Sequence, residues 1–141
     1  MYKEAIRPAW AEINLSNFEY NVQQIQAKMG AAEGREFIGV IKADAYGHGA
    51  IQCAQVLRDN GVKTFAIATL HEAIALRNAG AKERIIILGL TPDMYADTLA
   101  KYDITPVVDN ADNAKAINDA AASMNKTIDC LLAVDTGMGR I

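Results

Sequence analysis

Cysteine, histidine and long apolar runs are all scarce in this chain. Its two cysteines, Cys53 and Cys130, stand too far apart for a metal-binding or redox pair. Each falls in an apolar helical or strand context, so both read as reduced, buried thiols. The two histidines, His48 and His71, have no acidic or thiol partners at ligand spacing, which argues against a zinc site. The longest apolar runs, such as that from Ile85 to Leu90, fall far short of the roughly 18 to 20 residues that span a bilayer. No segment concentrates Lys and Arg either. Fourteen basic residues against 17 acidic ones leave a net charge of −3, which argues against nucleic acid as a partner. The first thirty residues carry Glu4, Arg7, Glu12 and Glu19 and lack the apolar core of an export signal, so a cytoplasmic location is expected.

Apolar material, by contrast, is ample. At 141 residues and 51% hydrophobic composition, the chain has the length of one ordinary domain and enough side chains to fill its core. Short apolar runs alternate with amphipathic segments, and strand candidates begin near Phe37, Thr64, Arg84, Ile104 and Thr127. The spacing is that of a βα repeat. Thr69 with Glu72 predicts a capping box, Thr91-Pro92-Asp93 predicts an N-cap followed by proline at the first helical position, and Asn60-Gly61 and Asn78-Ala79-Gly80 predict helix stops. Ahead of the first strand, Ser16 with Glu19 predicts another capping box, opening a helix to about Met29 with Phe18, Val22 and Ile25 on one face. Earlier still, AWAEINL alternates like a half-buried strand.

Apolar strands each followed by a helix predict a parallel sheet. Two architectures answer to that: a doubly wound sheet with its site at a switch in strand order, and a (β/α) barrel with its site along the C-terminal strand ends. A full barrel takes about 250 residues, so on the second reading the chain is an incomplete one.

Two segments concentrate chemistry. FIGVIKADAYGHGA, Phe37 to Ala50, runs an apolar strand into Lys42, with Asp44, Tyr46, His48 and two glycines behind it. VDTGMGRI, Val134 to Ile141, leaves a strand at Asp135 and enters a glycine-rich loop ending in Arg140, whose planar fork suits a carboxylate or phenolate oxygen. Each residue also has a plainer reading. Lys42 could lay its stem over apolar surface with the ammonium in water, and Tyr46 could be a rim aromatic. Asp44 could cap a turn, His48 could be satisfied by backbone, Gly47 and Gly49 could serve a turn, and Arg140 could end in a surface ion pair. In a barrel the two segments share one mouth, where an amine nucleophile and a carboxylate-binding guanidinium suit amino-acid chemistry with pyridoxal phosphate.

VIKADAYGHGA and VDTGMGR, in this order and about a hundred residues apart, resemble the two signature segments of the N-terminal half of bacterial alanine racemases, and the similarity extends to AWAEINL. The resemblance implies an α/β fold, the N-terminal part of a (β/α)8 TIM-type barrel with about five parallel strands. It implies that residues 1–15 contribute a strand packing with a C-terminal β domain outside these 141 residues, and that 16–141 are a partial pyridoxal-phosphate-binding barrel. The implied activity is interconversion of L- and D-alanine, supplying D-alanine for peptidoglycan, by a homodimer when full length. Lys42 would be the cofactor-anchoring lysine and one of two acid-base groups, and Tyr46 would bind the cofactor phosphate. Arg140 would contact the cofactor's phenolic oxygen and, with backbone at Met138, the substrate carboxylate. The second base and the group facing the pyridine nitrogen would lie outside this chain.

One departure concerns Ala133, where many such racemases have a carbamylated lysine buttressing the arginine. No carbamate is therefore expected, and Arg140 would be held by another residue or an anion. Serine or broad-specificity racemases remain alternatives, whereas DTGMGR argues against the barrel decarboxylases. From another class, a half-barrel fragment with open edges could serve only in association.

Overall fold

A computed structural model describes residues 9–30 and 35–141. Helix α1 (Leu15–Met29) precedes strand β1 (Ile38–Val40), and a short helical segment α2 (Lys42–Gly47) leads into helix α3 (Ala50–Asp59). There follow β2 (Thr64–Ile67), α4 (Leu70–Asn78), β3 (Arg84–Leu90), a 3-10 turn (Asp93–Tyr95) running into α5 (Ala96–Tyr102), β4 (Thr105–Val108), α6 (Ala111–Ser123) and β5 (Leu131–Leu132).

The five strands form one sheet in the order β1-β2-β3-β4-β5, and every neighbouring pair is parallel. Sequential order decides between the two architectures. A doubly wound sheet reverses its strand order, whereas right-handed crossovers that always step to the next neighbour put every helix on the same face. This is the winding of a barrel, and the sheet is not closed. Thr64 pairs with Ile38 on one side and Arg84 on the other, and β3 shifts register against β4 between Ile86 and Leu90.

The helix-covered face holds the core. Phe65, Ile67, Ile85 and Ile87 pack against Cys53, Leu57, Leu76, Leu99 and Ile117. Full burial of a side chain such as Phe65 stabilises by about 1.5–3 kcal/mol. Gly39 lets α3 approach, since a Cβ there would lie 2.6 Å from Leu57 Cδ1 and 3.3 Å from Phe65 Cδ1. On the other face Ile38, Val40, Leu88 and Leu90 are exposed. These residues point to where a closed barrel has its interior. The N-terminal end of that face is polar, with the Thr64 hydroxyl bonded to Glu36 and Arg84 Nε donating to Thr105 Oγ1 at 3.2 Å. Between α1 and the free edge of β1 lies an open groove of about 390 Å³, lined by Phe18, Val22, Ile25, Phe37, Ile38 and Val40 among others. No helix among the described residues is long and apolar enough to cross a membrane.

Several local expectations change. The cap of α1 is Asn14, whose Oδ1 accepts Asn17 N–H at 2.9 Å, in place of a Ser16–Glu19 box. Glu19 is engaged elsewhere, accepting from Asn60 Nδ2 at 3.3 Å. AWAEINL forms no strand: residues 9–14 carry no regular structure and Leu15 opens α1, while residues 1–8 lie outside the described residues. A strand needs a pairing edge, and none among the described residues reaches this segment. Thr91 does not cap α5. Pro92 instead precedes the 3-10 turn with no side-chain cap, and Thr91 is buried. The fifth strand starts at Leu131, not Thr127, because only Leu131 and Leu132 pair with β4. Cys53 is buried as expected, but Cys130, on that sparsely paired segment, is exposed. The Thr69–Glu72 box and both helix stops form as expected.

Arg77, in the last turn of α4, fastens the end of the molecule opposite the site. Its Nε donates to Tyr102 O at 2.9 Å, Nη1 to Ala81 O at 2.9 Å and Glu83 O at 2.8 Å, and Nη2 to Asp103 O at 2.8 Å. One guanidinium thereby joins the α4–β3 loop to the end of α5. A lysine has a single nitrogen and cannot span these carbonyls. Arg77→Lys is expected to cost about 2–3 kcal/mol, read as a lower urea midpoint at unchanged m-value.

Candidate active site

Parallel strands in a sequentially wound sheet put all their C-terminal ends on one rim. The ladder between β1 and β2 extends one residue past β1, where Ile41 N–H donates to Ala66 O at 3.0 Å. Ile41 is buried, and Lys42 is the first residue beyond this last bond. Its side chain is half-buried, not stripped of water, because β1 is an edge strand here and no strand among the described residues covers its inner face. Among the described residues its Nζ has no ion-pair partner.

The backbone after Lys42 is left-handed. Ala43, Asp44, Ala45 and Tyr46 have φ of 50°, 54°, 52° and 56°, with ψ between 36° and 49°. Residues with a Cβ adopt this conformation at about 1–2 kcal/mol each, so four in succession cost roughly 4–8 kcal/mol. Such a cost persists only where the surroundings over-determine it, and such places cluster at functional sites. Here the supports are visible. Ala45 is buried and its N–H donates to Ile41 O at 3.0 Å. Asp44 Oδ1 accepts Ala50 N–H at 2.7 Å, and Asp44 O accepts Gly49 N–H at 3.0 Å, which joins the turn to the start of α3. His48 Nδ1 lies 3.0 Å from Ala45 O. Asp44 and His48 thus take their plainer roles of cap and backbone-satisfied imidazole. Cys53, beneath the turn, has its thiol pKa pushed up by burial and by Asp44. A raised pKa makes a poor nucleophile.

Glu72, from the α4 capping box, also reaches this turn and accepts Ala43 N–H at 2.6 Å. Burial pushes its carboxyl upward, but N–H groups of Ala68, Ala43 and Thr69 outweigh that and hold it below the usual glutamate value. The sequence signalled only the local half of this contact, through the Thr69–Glu72 spacing.

At the other edge of the sheet, Asp135 organises the glycine-rich loop. Its Oδ1 accepts Gly137 N–H at 2.9 Å and Gly139 N–H at 3.0 Å, and these bonds, Gly139 foremost, lower its pKa. Gly137 at φ 119° and Gly139 at φ 65° allow the wrap. Met138 and Arg140 project from it exposed, as does Tyr46 at 61% from the first segment. The structure places Lys42 and Arg140 on one rim but at opposite ends of the strand row. Four spacings of about 4.8 Å would set β1 and β5 roughly 19 Å apart if flat, and curvature into a barrel turns them toward one mouth.

Comparison with known proteins adds the family. The family model "Alanine racemase, N-terminal domain" matches residues 13–141. The chain belongs to that family. The alanine racemase of Clostridium kluyveri is 49% identical over 135 residues, covering 96% of this chain and 34% of that protein. The structure of alanine racemase from Clostridium difficile 630 superposes with a TM-score of 0.89 at 39% identity, covering 98% of this chain and 36% of that one. A histidine racemase from Leuconostoc mesenteroides matches with a TM-score of 0.78 at 33% identity, covering 89% of this chain and 33% of that one. The chain spans about a third of the length of the racemases it matches. Its five-stranded sheet corresponds to the N-terminal portion of the alanine racemase barrel.

The left-handed run offers a direct check. Glycine occupies this region without a Cβ penalty, so Ala43→Gly, at an exposed position, is expected to stabilise the chain by up to about 1 kcal/mol, where Ala→Gly in an ordinary helix destabilises. Thermal or urea unfolding reads the sign.

Proposed function

We propose that this chain is the portion of a pyridoxal-phosphate-dependent alanine racemase that carries the cofactor-anchoring lysine and one of the two bases. The observation that carries this reading is Lys42: a half-buried primary amine with no ion-pair partner among the described residues, at the end of the first barrel strand. An aldehyde cofactor needs such an amine, because a lysine locked against a carboxylate is held as its ammonium and cannot attack a carbonyl. The remaining residues fit the group as well. Tyr46 offers an exposed hydroxyl on the same turn for a phosphate, and Arg140 offers a guanidinium for a phenolic oxygen and for the substrate carboxylate, beside backbone at Met138. When bound, pyridoxal phosphate supplies the electron sink that makes an amino acid's α-proton removable.

The chain's own residues then divide the work. Lys42 Nζ would hold the cofactor until the substrate's amino group displaces it, and the freed amine would then move the proton at Cα on the D-enantiomer face, while Arg140 would fix the carboxylate so that this proton meets the amine. Inversion needs a second base on the opposite face, which the family resemblance locates outside these 141 residues. Residues 1–15 belong to the same proposal, packing with a C-terminal β domain, as do the homodimer, the cytoplasmic location and the supply of D-alanine to peptidoglycan. The apolar inner face of Ile38, Val40, Leu88 and Leu90 supports further barrel strands in the working enzyme. Alanine is the substrate favoured by the names of the most similar relatives. The histidine racemase sharing this N-terminal third at 33% identity supports assigning side-chain selection to residues outside it.

In the purified chain, borohydride treatment with pyridoxal phosphate is expected to fix one cofactor on Lys42, located by peptide mass, with loss of the adduct in Lys42→Ala. Racemisation of L-alanine by the chain alone is expected to be undetectable. Equal labelling of the Lys42→Ala protein would contradict the assignment.

A further inference from the structure

The exit of β1 is held by a side chain that belongs to the next βα unit. Glu72 is the third residue of α4, and a capping box asks of it only that it reach back to its own N-cap. Oε2 does this, accepting Thr69 N–H at 3.0 Å and Ala68 N–H at 2.8 Å. Oε1 leaves the helix altogether and accepts Ala43 N–H at 2.6 Å. Ala43 is the residue directly after Lys42 and the first of the left-handed run. One carboxylate therefore joins the exits of β1 and β2 through charge-assisted bonds, and it does so at the point where the strained turn begins.

We propose that Glu72 is a positioning residue for Lys42: by taking the Ala43 N–H it fixes the left-handed turn and so sets where the lysine amine stands on the rim. The other supports act later in the turn, at Asp44, Ala45 and His48, so among the described residues Glu72 is the one side chain bonded to Ala43, the residue after Lys42. Glutamine cannot replace it. An amide has one acceptor oxygen and a donor NH2, so either Ala43 or the Ala68–Thr69 pair would face a donor. The link to Lys42 chemistry rests on the racemase reading, whereas the clamp on the turn does not.

The test compares the unaltered 141-residue chain with Glu72→Gln and Thr69→Ala. The second variant removes the hydroxyl half of the same capping box, 3.4 Å from Glu72 N, and leaves the Ala43 bond in place. Ala43 amide exchange is expected to rise about ten-fold or more in Glu72→Gln and about two-fold or less in Thr69→Ala, at comparable thermal midpoints. The left-handed Cα chemical shifts of Ala43 to Tyr46 should move only in Glu72→Gln, and cofactor fixed on Lys42 by borohydride should fall in the same order. Should Glu72→Gln not fold, the same comparison is made on the Ala43→Gly background, where the turn is less strained. Matching exchange and shifts in the two variants, or no change in Glu72→Gln, would overturn the proposal. So would unchanged cofactor fixation alongside a loosened turn. Absence of Lys42 adduct in the unaltered chain would contradict the racemase reading instead, leaving Ala43 exchange to decide the clamp.

Discussion

Parallel strand pairing is the constraint on which the rest of this structure depends. A parallel neighbour can be reached only by a crossover, and crossovers of one hand that always step to the adjacent strand lay all helices on one face and all strand exits on one rim. The helix-covered face becomes the core, with Phe65, Ile67, Ile85 and Ile87 at its centre. The rim receives whatever follows each strand, and the residue following the last β1–β2 bond is Lys42.

That position alone would leave a lysine on an edge strand free to swing into solvent. The chain instead turns left-handed for four residues, at a cost of roughly 4–8 kcal/mol, and offsets it with bonds drawn from three different elements. Asp44 secures the turn against α3, the His48 ring bonds back to Ala45 O within it, buried Ala45 secures it against the core, and Glu72 secures it against the exit of β2. Strain of this size immediately beside an amine with no ion-pair partner among the described residues ties the fold to the chemistry more tightly than either does alone. Arg140, at the far end of the strand row, is presented by a different device, a loop wrapped around the Asp135 carboxylate.

Much of this was legible in the residues. Strand starts at Thr64 and Arg84 coincide with the structure because apolar runs there are bounded by clear helix stops. The fifth strand was less legible: Thr127 to Cys130 has the composition of a strand but only one flank to pair with, and two residues sufficed to end the sheet. AWAEINL has strand alternation without a partner among the described residues, so pattern there does not become structure. The left-handed turn had no signal at all. Ala-Asp-Ala-Tyr has no glycine to advertise positive φ, and the conformation is imposed from outside, partly by a glutamate 29 positions from Ala43. Sequence spacing shows local bonds well and long-range ones poorly, which is why Glu72 was legible as a cap and not as a clamp.

The role proposed for the strained left-handed exit from β1 is to present Lys42 to an aldehyde cofactor. A high-resolution crystal structure of the chain grown with pyridoxal phosphate tests it most directly. Positive φ at Ala43 through Tyr46, with density continuous from Lys42 Nζ to the cofactor, is the expected result. A right-handed or extended backbone at these residues, or cofactor joined to a different lysine, would contradict it.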